Sequence, residues 1–191
     1  RKFLITMMQN NILSIDAKTG DLVWSFEKVN KYSVHPNTPY YHNNELYCFS
    51  GYGSGGFKLT LSEDGTSVTK AWDNLTLDNQ MGGVVVMDGF IYGSGQKNRE
   101  WKCLDWKTGE QKWESKEIGK GVVIAADGML YYYNHGGEVM LITQDPANME
   151  VVSKFRINVG EQEHFAHPVI NNGKLYVRHG NFIQAFKIKE G

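Results

Sequence analysis

Five histidine, lysine and glutamine side chains lie between predicted strands, and side chains of these types can hydrogen-bond a ligand or exchange a proton. They are His35, Gln80, Lys120, His164 and His167. The last two are three residues apart in EHFAH (163–167), a spacing that would suit a metal ion if it lay on a helix. Because that segment reads as a loop entering a strand and no third ligand is evident, we predict ligand-binding residues and no metal site.

The sequence contains no recognisable catalytic constellation. It has no GxSxG motif, and no acidic pair stands out for glycoside chemistry. The loop GYGSGG (51–56) lacks the Lys-Ser/Thr ending of a phosphate cradle and precedes no helix, so it reads as a hairpin loop. Arg99, Trp101 and Tyr133 form either a stacking or anion site or ordinary surface. We therefore predict no catalytic residues.

Composition narrows the class of protein. The 191 residues carry a formal net charge of −1 with no basic tract, which argues against nucleic-acid partners, and no apolar stretch is long enough to span a bilayer. Twenty-one glycines, four prolines and 13% aromatic residues suit an all-β protein with tight turns. Cys48 and Cys103 lie in apolar, strand-like runs, so we predict two small core residues, with a disulfide as the open alternative.

A repeated segment gives the strongest signal. Residues 13–24 (LSIDAKTGDLVW) and 102–113 (KCLDWKTGEQKW) each carry an aspartate, then Lys-Thr-Gly, then a tryptophan four positions after the glycine. The copies lie 89 residues apart, which is two periods of about 44 residues, the size of one propeller blade. Weaker copies follow at 59–72, which ends on a tryptophan, and at 139–155, which has none.

A second repeated element precedes each of these turns and reads as a hairpin. A two-residue turn is followed by Leu or Ile and then Tyr in NNELYCF (43–49), MDGFIYG (87–93), ADGMLYY (126–132) and NNGKLYV (171–177). The Asp-Gly and Asn-Gly pairs are typical of turns whose two central residues both have positive φ. Each unit is thus predicted to hold four antiparallel strands, and no segment reads as a helix of three turns.

These elements predict an all-β fold, a β-propeller of four-stranded antiparallel blades. Within 1–191 the predicted blades are a partial blade 1 (2–27), blade 2 (35–74), blade 3 (80–117), blade 4 (120–158) and a partial blade 5 (166–188). We expect Gly20 and Gly109 to supply turn conformations, and Trp24 and Trp113 to bury their indoles against the neighbouring blade.

On these residues the sequence resembles the PQQ-repeat (quinoprotein-like) β-propeller family. The tryptophan-docking pattern of that family is a small residue, a glycine six positions later and a tryptophan four positions after that. It is matched by Ser14, Gly20 and Trp24, and again by Cys103, Gly109 and Trp113. Residues 82–93 and 166–180 resemble segments of bacterial PQQ-binding-like propeller proteins, often labelled polyvinyl-alcohol dehydrogenases or likened to outer-membrane assembly lipoproteins.

The resemblance implies a propeller of about seven or eight blades, of which this sequence would supply about four to five. An N-terminal portion outside the sequence would then supply the remaining blades. The edge at residues 3–8 is left open to three alternatives, which are cover by that portion, cover by a second copy of the chain, and exposure to solvent. A closed ring of four or five blades, in which blades 1 and 5 share strands, is the alternative.

The resemblance also implies a function. We predict an extracytoplasmic binding or scaffold domain, periplasmic or secreted, whose five candidate residues lie at the mouth of a central channel and bind a protein or a glycan. The alternative is a quinoprotein alcohol or polyvinyl-alcohol dehydrogenase that uses PQQ and Ca²⁺. The calcium-ligating Asn/Asp pair and the adjacent-cysteine ring of those enzymes have no match in this sequence.

Overall fold

The computed structural model describes residues 1–96 and 99–188, and in these residues it contains eighteen β-strands and no helix. The strands form five antiparallel sheets, three of four strands and two of three. The chain divides into two compact units, Arg1–Gln80 and Met81–Gly191. The predicted all-β fold of four-stranded antiparallel sheets is confirmed. The sequence also predicts a last weak copy of the repeated segment at 182–191, and the turn at its end lies outside the described residues.

Unit 1 holds two sheets. The first has the order β1-β2-β3 and consists of β1 (Phe3–Met7), β2 (Asn11–Asp16) and β3 (Leu22–Glu27). The second has the order β4-β5-β6-β7 and consists of β4 (Tyr40–His42), β5 (Glu45–Phe49), β6 (Gly56–Leu61) and β7 (Val68–Asn74). Side chains from both sheets share one buried cluster, formed by Ile12, Trp24, Leu46, Cys48, Phe57, Leu59 and Leu61. The two sheets therefore pack face to face through apolar surfaces.

Unit 2 holds three sheets. The first, in the order β11-β10-β9-β8, consists of β8 (Val85–Met87), β9 (Phe90–Ser94), β10 (Trp101–Asp105) and β11 (Gln111–Ser115). The second, in the order β12-β13-β14-β15, consists of β12 (Gly121–Ala126), β13 (Met129–Asn134), β14 (Glu138–Thr143) and β15 (Val151–Arg156). The third, in the order β16-β17-β18, consists of β16 (Val169–Asn171), β17 (Lys174–His179) and β18 (Phe182–Lys187).

Two buried clusters join the sheets of unit 2. One cluster lies between the first and second sheets and is centred on aromatic residues that include Tyr92, Trp101 and Tyr132. The other lies between the second and third sheets and includes Tyr131 and Leu175. Because each sheet covers an apolar face of the next, the sheets of unit 2 stack in chain order, as propeller blades do.

The short turns between the first two strands of four sheets have the backbone that their sequence predicts. Asp88-Gly89, Asp127-Gly128, Asn172-Gly173 and Asn43-Asn44 all have positive φ at both positions, between 47° and 82°. Such turns match the right-handed twist of the strands that they join. The turn prediction is therefore confirmed at each of these hairpins.

The Asp-x-Lys-Thr-Gly turns also have one shared geometry. The main-chain N–H of Gly20 donates to the carbonyl of Asp16 (2.9 Å), and that of Gly109 donates to the carbonyl of Asp105 (2.9 Å). The two glycines have φ of 81° and 75°. Each aspartate also accepts a main-chain N–H through its side chain, from Lys18 (2.8 Å) and from Thr108 (2.8 Å). Glycine is the residue that this left-handed position favours.

One irregularity recurs in four hairpins, β2–β3, β6–β7, β10–β11 and β14–β15. In each of them the register shifts by one residue, so that one residue of the second strand is left over as a bulge. The residues that follow the bulge and resume the pairing are Trp24, Trp72, Trp113 and Ser153. These four positions are therefore structurally equivalent.

Both cysteines are buried in the core and free. Burial raises the pKa of each thiol to about 12. The prediction of two core residues is confirmed, and the alternative of a disulfide is wrong. Among the residues of 1–96 and 99–188, no helix is long and apolar enough to cross a membrane.

Candidate functional site

The structure places the five predicted ligand-binding residues in connections between sheets, two in unit 1 and three in unit 2. In unit 1, His35 lies between β3 and β4, and its Nε2 contacts the carbonyl of Lys28 at 3.1 Å. Burial lowers the pKa of His35, so its ring is best described as a neutral group that fastens the loop. The main-chain carbonyl of Gln80 accepts a hydrogen bond from the side-chain amide of Asn37 (3.1 Å). This bond joins the connection that precedes β4 to the segment that follows β7.

The glycine-rich loop of unit 1 is occupied by a side chain of the protein itself. The carboxylate of Asp78 accepts from the main-chain N–H groups of Gly53 (2.9 Å) and Gly55 (3.0 Å). Asp78 is 5% exposed. The amides that could have bound a phosphate are therefore already used by a buried carboxylate, which agrees with reading residues 51–56 as a hairpin loop.

In unit 2, His164 lies in the connection between β15 and β16 and packs against residues at the ends of β13 and β17 and in the turn that follows β13. Its ring lies on that of His179, with centroids 3.7 Å apart and planes at 18°. The hydroxyl of Tyr133 donates to Nδ1 of His164. Gly137 also lies against the His164 ring, because a Cβ added at Gly137 would come within 2.8 Å of that ring. The sequence predicts none of these contacts.

The electrostatics of this group favour a neutral His164. Burial lowers its pKa, and the nearby rings of His179 and His135 lower it further. Burial also raises the pKa of Tyr133 to about 12, so its hydroxyl keeps its proton and remains a donor. The ring nitrogens of His179 lie 2.7 Å and 2.8 Å from the carbonyls of Val159 and Gln162. The histidine pair therefore anchors the connection between β15 and β16.

Next to this pair lies a group of exposed and half-buried side chains that we call the loop surface. It consists of Arg99, Lys120, His135, Glu163, Phe165 and Arg178. The rings of His135 and Phe165 are nearly parallel, with planes at 15° and centroids 6.3 Å apart. Burial lowers the pKa of His135. The positive charges of Lys120 and Arg99 lower this pKa further, whereas the negative charge of Glu163 raises it, so all three charged side chains act on the same ring.

The loop surface includes a shallow depression of about 570 Å³, lined by Glu163, Phe165 and Arg178 among others. Phe165 remains 42% exposed. Aromatic and arginine side chains, such as Phe165 and Arg178 in this depression, are enriched in protein interfaces. This arrangement can bind a ligand through apolar contact and charge.

The immediate contacts of Lys120, His167 and Trp101 are simpler. Lys120 is half-buried, and its carbonyl accepts the N–H of His135 (3.0 Å). His167 is exposed and faces Gly83, where a Cβ would lie 3.7 Å from its ring. Trp101 is fully buried against Tyr132, with ring centroids 4.3 Å apart, so the stacking or anion site of Arg99, Trp101 and Tyr133 is not formed.

Sequence reasoning placed His135 and His179 in loops that converge with the loop of His164, but it did not select them as binding residues. It missed Phe165, which lies within the connection between β15 and β16. A further local signal is that His135 and His179 both stand directly before a glycine at the end of a strand, in YYYNHGG (131–137) and YVRHG (176–180).

The two repeat tryptophans make the same contact in different units. The indole Nε1 of Trp24 donates to the carbonyl of Gly65 (3.2 Å), and that of Trp113 donates to the carbonyl of Asp145 (2.9 Å). Gly65 and Asp145 each lie in the turn after the third strand of the next sheet. Trp24 is buried at 8% exposure, and Trp113 is half-buried.

The residues that the structure describes do not fit the Ca²⁺ that the quinoprotein alternative would use. Calcium requires several clustered oxygen ligands. Among the described residues no three His, Cys, Asp or Glu side chains come together in a way that would hold a metal ion. The buried carboxylate of Asp78 is already bonded to two main-chain amides. We therefore derive no chemical step through such a group.

Stacked four-stranded antiparallel sheets with a recurrent Asp-Gly-Trp hairpin define a β-propeller of the PQQ-repeat class. The model of one family matches residues 2–147, and the chain belongs to that family, described as "Outer membrane protein assembly factor BamB". No curated protein matches the chain in sequence.

Solved structures share the fold at low sequence identity. The crystal structure of BamB from Moraxella catarrhalis has a TM-score of 0.69 and 15% identity, and the match covers 96% of this chain and 57% of that one. The computationally designed Ika8 protein has a TM-score of 0.68 and 8% identity, with 97% and 55% covered. A europium-containing methanol dehydrogenase has a TM-score of 0.52 and 15% identity, with 66% and 25% covered. The chain thus spans a little more than half the length of the first two.

Proposed function

We propose that this chain is a non-catalytic binding or scaffold propeller that acts outside the cytoplasm in the assembly of outer-membrane proteins. Family membership supports this role, because the family is described as an outer membrane protein assembly factor. The partner would be a protein, in line with the same description.

The loop surface is the observation that carries the proposal. Phe165 is exposed within a depression that also contains Glu163 and Arg178, and the histidine pair fixes the connection that bears it. Preordered loops lose little conformational entropy on binding, and buried aromatic and arginine side chains supply most of the energy of an interface. Of the predicted binding residues, Lys120 belongs to this surface and His164 positions it.

Site-specific photo-crosslinking in the bacterial envelope tests the proposal. A photoreactive phenylalanine analogue at position 165 is expected to give one adduct with a component of the outer-membrane assembly machinery. The matched control carries the analogue at Tyr41, an exposed aromatic position in β4 of unit 1 (58% exposed). No adduct at 165, or the same adduct at 41, would contradict a partner site at the loop surface.

Two further measurements separate this role from the alternatives. Purified protein is titrated with PQQ and Ca²⁺ by calorimetry and assayed for dye-linked alcohol oxidation. We expect no heat of binding and no alcohol oxidation. Observing both would contradict the scaffold role and identify the protein as a dehydrogenase. Titration with glycans covers the remaining ligand class, and saturable binding that Phe165→Ala abolishes would make the ligand a glycan rather than a protein.

A further inference from the structure

The equivalent positions after the four bulges do not all carry the same residue. Three of them are tryptophan, Trp24, Trp72 and Trp113, and the fourth is Ser153 in β15. Ser153 pairs with Leu141 across the hairpin, as Trp113 pairs with Cys103 and Trp24 with Ser14. The backbone therefore provides in β15 the same place for a large ring, and the sequence puts a small hydroxyl there.

A cavity of about 330 Å³ lies beside Ser153. It is formed between the second and third sheets of unit 2, and the residues that shape it include Leu141, Phe155, Leu175, Phe186 and Ile188. At the equivalent place one sheet earlier, the Trp113 ring packs against the buried cluster and reaches the next sheet through its hydrogen bond to Asp145 (2.9 Å). The cavity thus lies where an indole ring would be if position 153 were a tryptophan.

The walls of this cavity define the chemistry of a ligand. Most lining side chains are apolar, and Tyr131, Ser153 and Lys187 are the polar exceptions. The aromatic rings of Phe155 and Phe186 have centroids 4.4 Å apart and planes at 51°. Phe155 is 38% exposed, so this aromatic pair stands at an entrance from solvent. Apolar cavities of this kind hold apolar ligands in preference to water, and ligand pockets begin at about 300 Å³.

We propose that the cavity beside Ser153 is a binding site for a flat aromatic ring of about the size of indole. The ring would lie against Leu141 and Leu175 and meet the Phe155–Phe186 pair edge to face, an arrangement that aromatic groups prefer. Either a free aromatic compound or a tryptophan side chain of another polypeptide can supply such a ring. This site is separate from the loop surface and does not depend on the function proposed for it.

Indole is the probe for a direct test by equilibrium dialysis and calorimetry with the purified protein. We expect saturable binding at one site. In Ser153→Trp the protein fills its own cavity, so the affinity for indole should fall at least about tenfold while the melting temperature rises by about 2 °C or more. Ser25→Trp is the matched control, because it adds an indole to an exposed position of β3 and should leave indole binding unchanged.

Two results would overturn the proposal. One is the absence of saturable indole binding to the wild-type protein. The other is indole binding that Ser153→Trp leaves unchanged while that variant melts at the wild-type temperature. Should Ser153→Trp fail to fold, Ser153→Phe fills less of the cavity and carries the same two readouts. A short peptide that contains tryptophan distinguishes the sources, since tighter binding of the peptide than of indole identifies a polypeptide ligand and weaker binding identifies a free compound.

Discussion

The indole nitrogen of Trp24 hydrogen-bonds to the main-chain carbonyl of Gly65, which lies 41 residues further along the chain in the turn between β6 and β7. Trp113 repeats this relationship with Asp145 in unit 2. In both cases a ring from the last strand of one sheet meets the third hairpin of the next. We infer that this contact acts as the docking element between successive blades.

Removing either indole should destabilise the protein strongly. Trp24→Ala and Trp113→Ala are each expected to lower the free energy of unfolding by about 3–5 kcal/mol, because truncating a large packed ring leaves a cavity. Urea-induced unfolding measures the change. Trp24→Phe keeps part of the ring but loses the hydrogen bond, so it should have a smaller effect than Trp24→Ala. A loss below about 1 kcal/mol in both alanine variants would contradict a docking role.

A methyl group at Gly137 should dislodge His164. The Cβ of Gly137→Ala would lie 2.8 Å from the His164 ring, on a backbone with φ of 86°. Gly128→Ala is the matched control, since Gly128 has φ of 72° and nothing within 4 Å of the added Cβ. Both variants carry the strain of a left-handed alanine, and Gly137→Ala should lose about 1–3 kcal/mol more through overpacking. If the two variants lose the same stability in thermal unfolding, the His164–His179 pair can move aside for the added methyl group without an energetic cost.

Stability should fall as the solution is acidified below pH 6.5. The pKa of His164 is lowered from 6.5 in the folded state, chiefly by burial, so the unfolded chain takes up the proton first. The contribution of this neutral ring is therefore complete above pH 6.5 and is lost as the pH falls from there toward the folded-state pKa. Melting temperatures of the wild type and of His164→Gln between pH 7.5 and 5 measure the slope.

His164→Gln should show a shallower slope than the wild type, whatever its stability at neutral pH. His35 and His135 have pKa values lowered in the same direction by burial, so the variant should lose only part of the dependence. An unchanged slope would mean that His164 does not titrate with unfolding.

The glycine-rich loop should become an anion site when Asp78 is removed. Asp78→Ala leaves the N–H groups of Gly53 and Gly55 without their carboxylate, which should destabilise the protein by about 1–3 kcal/mol. Inorganic phosphate should then raise the melting temperature of the variant while leaving that of the wild type unchanged, because in the wild type the carboxylate fills the loop. If phosphate does not change the melting temperature of the variant, the loop loses its conformation when Asp78 is removed.

The local signals were sufficient for the hairpins and for the period of the repeat. Asp127-Gly128 and its equivalents determine a turn with two positive φ values, and Gly20 and Gly109 sit where a left-handed residue is required. Such features depend on residues only a few positions apart, so a sequence shows them directly. The class of fold followed from the same repeats, because sheets with two apolar faces must stack.

The surroundings of the candidate residues depended on packing between distant segments. His164 and His179 are 15 residues apart and lie face to face only because β16 and β17 return the chain to the same end of the sheets. Asp78 reaches a loop more than twenty residues earlier, and no local pattern predicts that pairing.

By itself, the sequence determined that this protein consists of repeated antiparallel sheets with tryptophan-bearing hairpins, since turn chemistry and strand periodicity are local properties. Only the tertiary structure decided which polar residues fasten the loops, which stay exposed around Phe165, and that the absence of a tryptophan at Ser153 leaves a cavity. Those outcomes depend on which side chains of different sheets come into contact, and that is settled by the packing of whole sheets against one another.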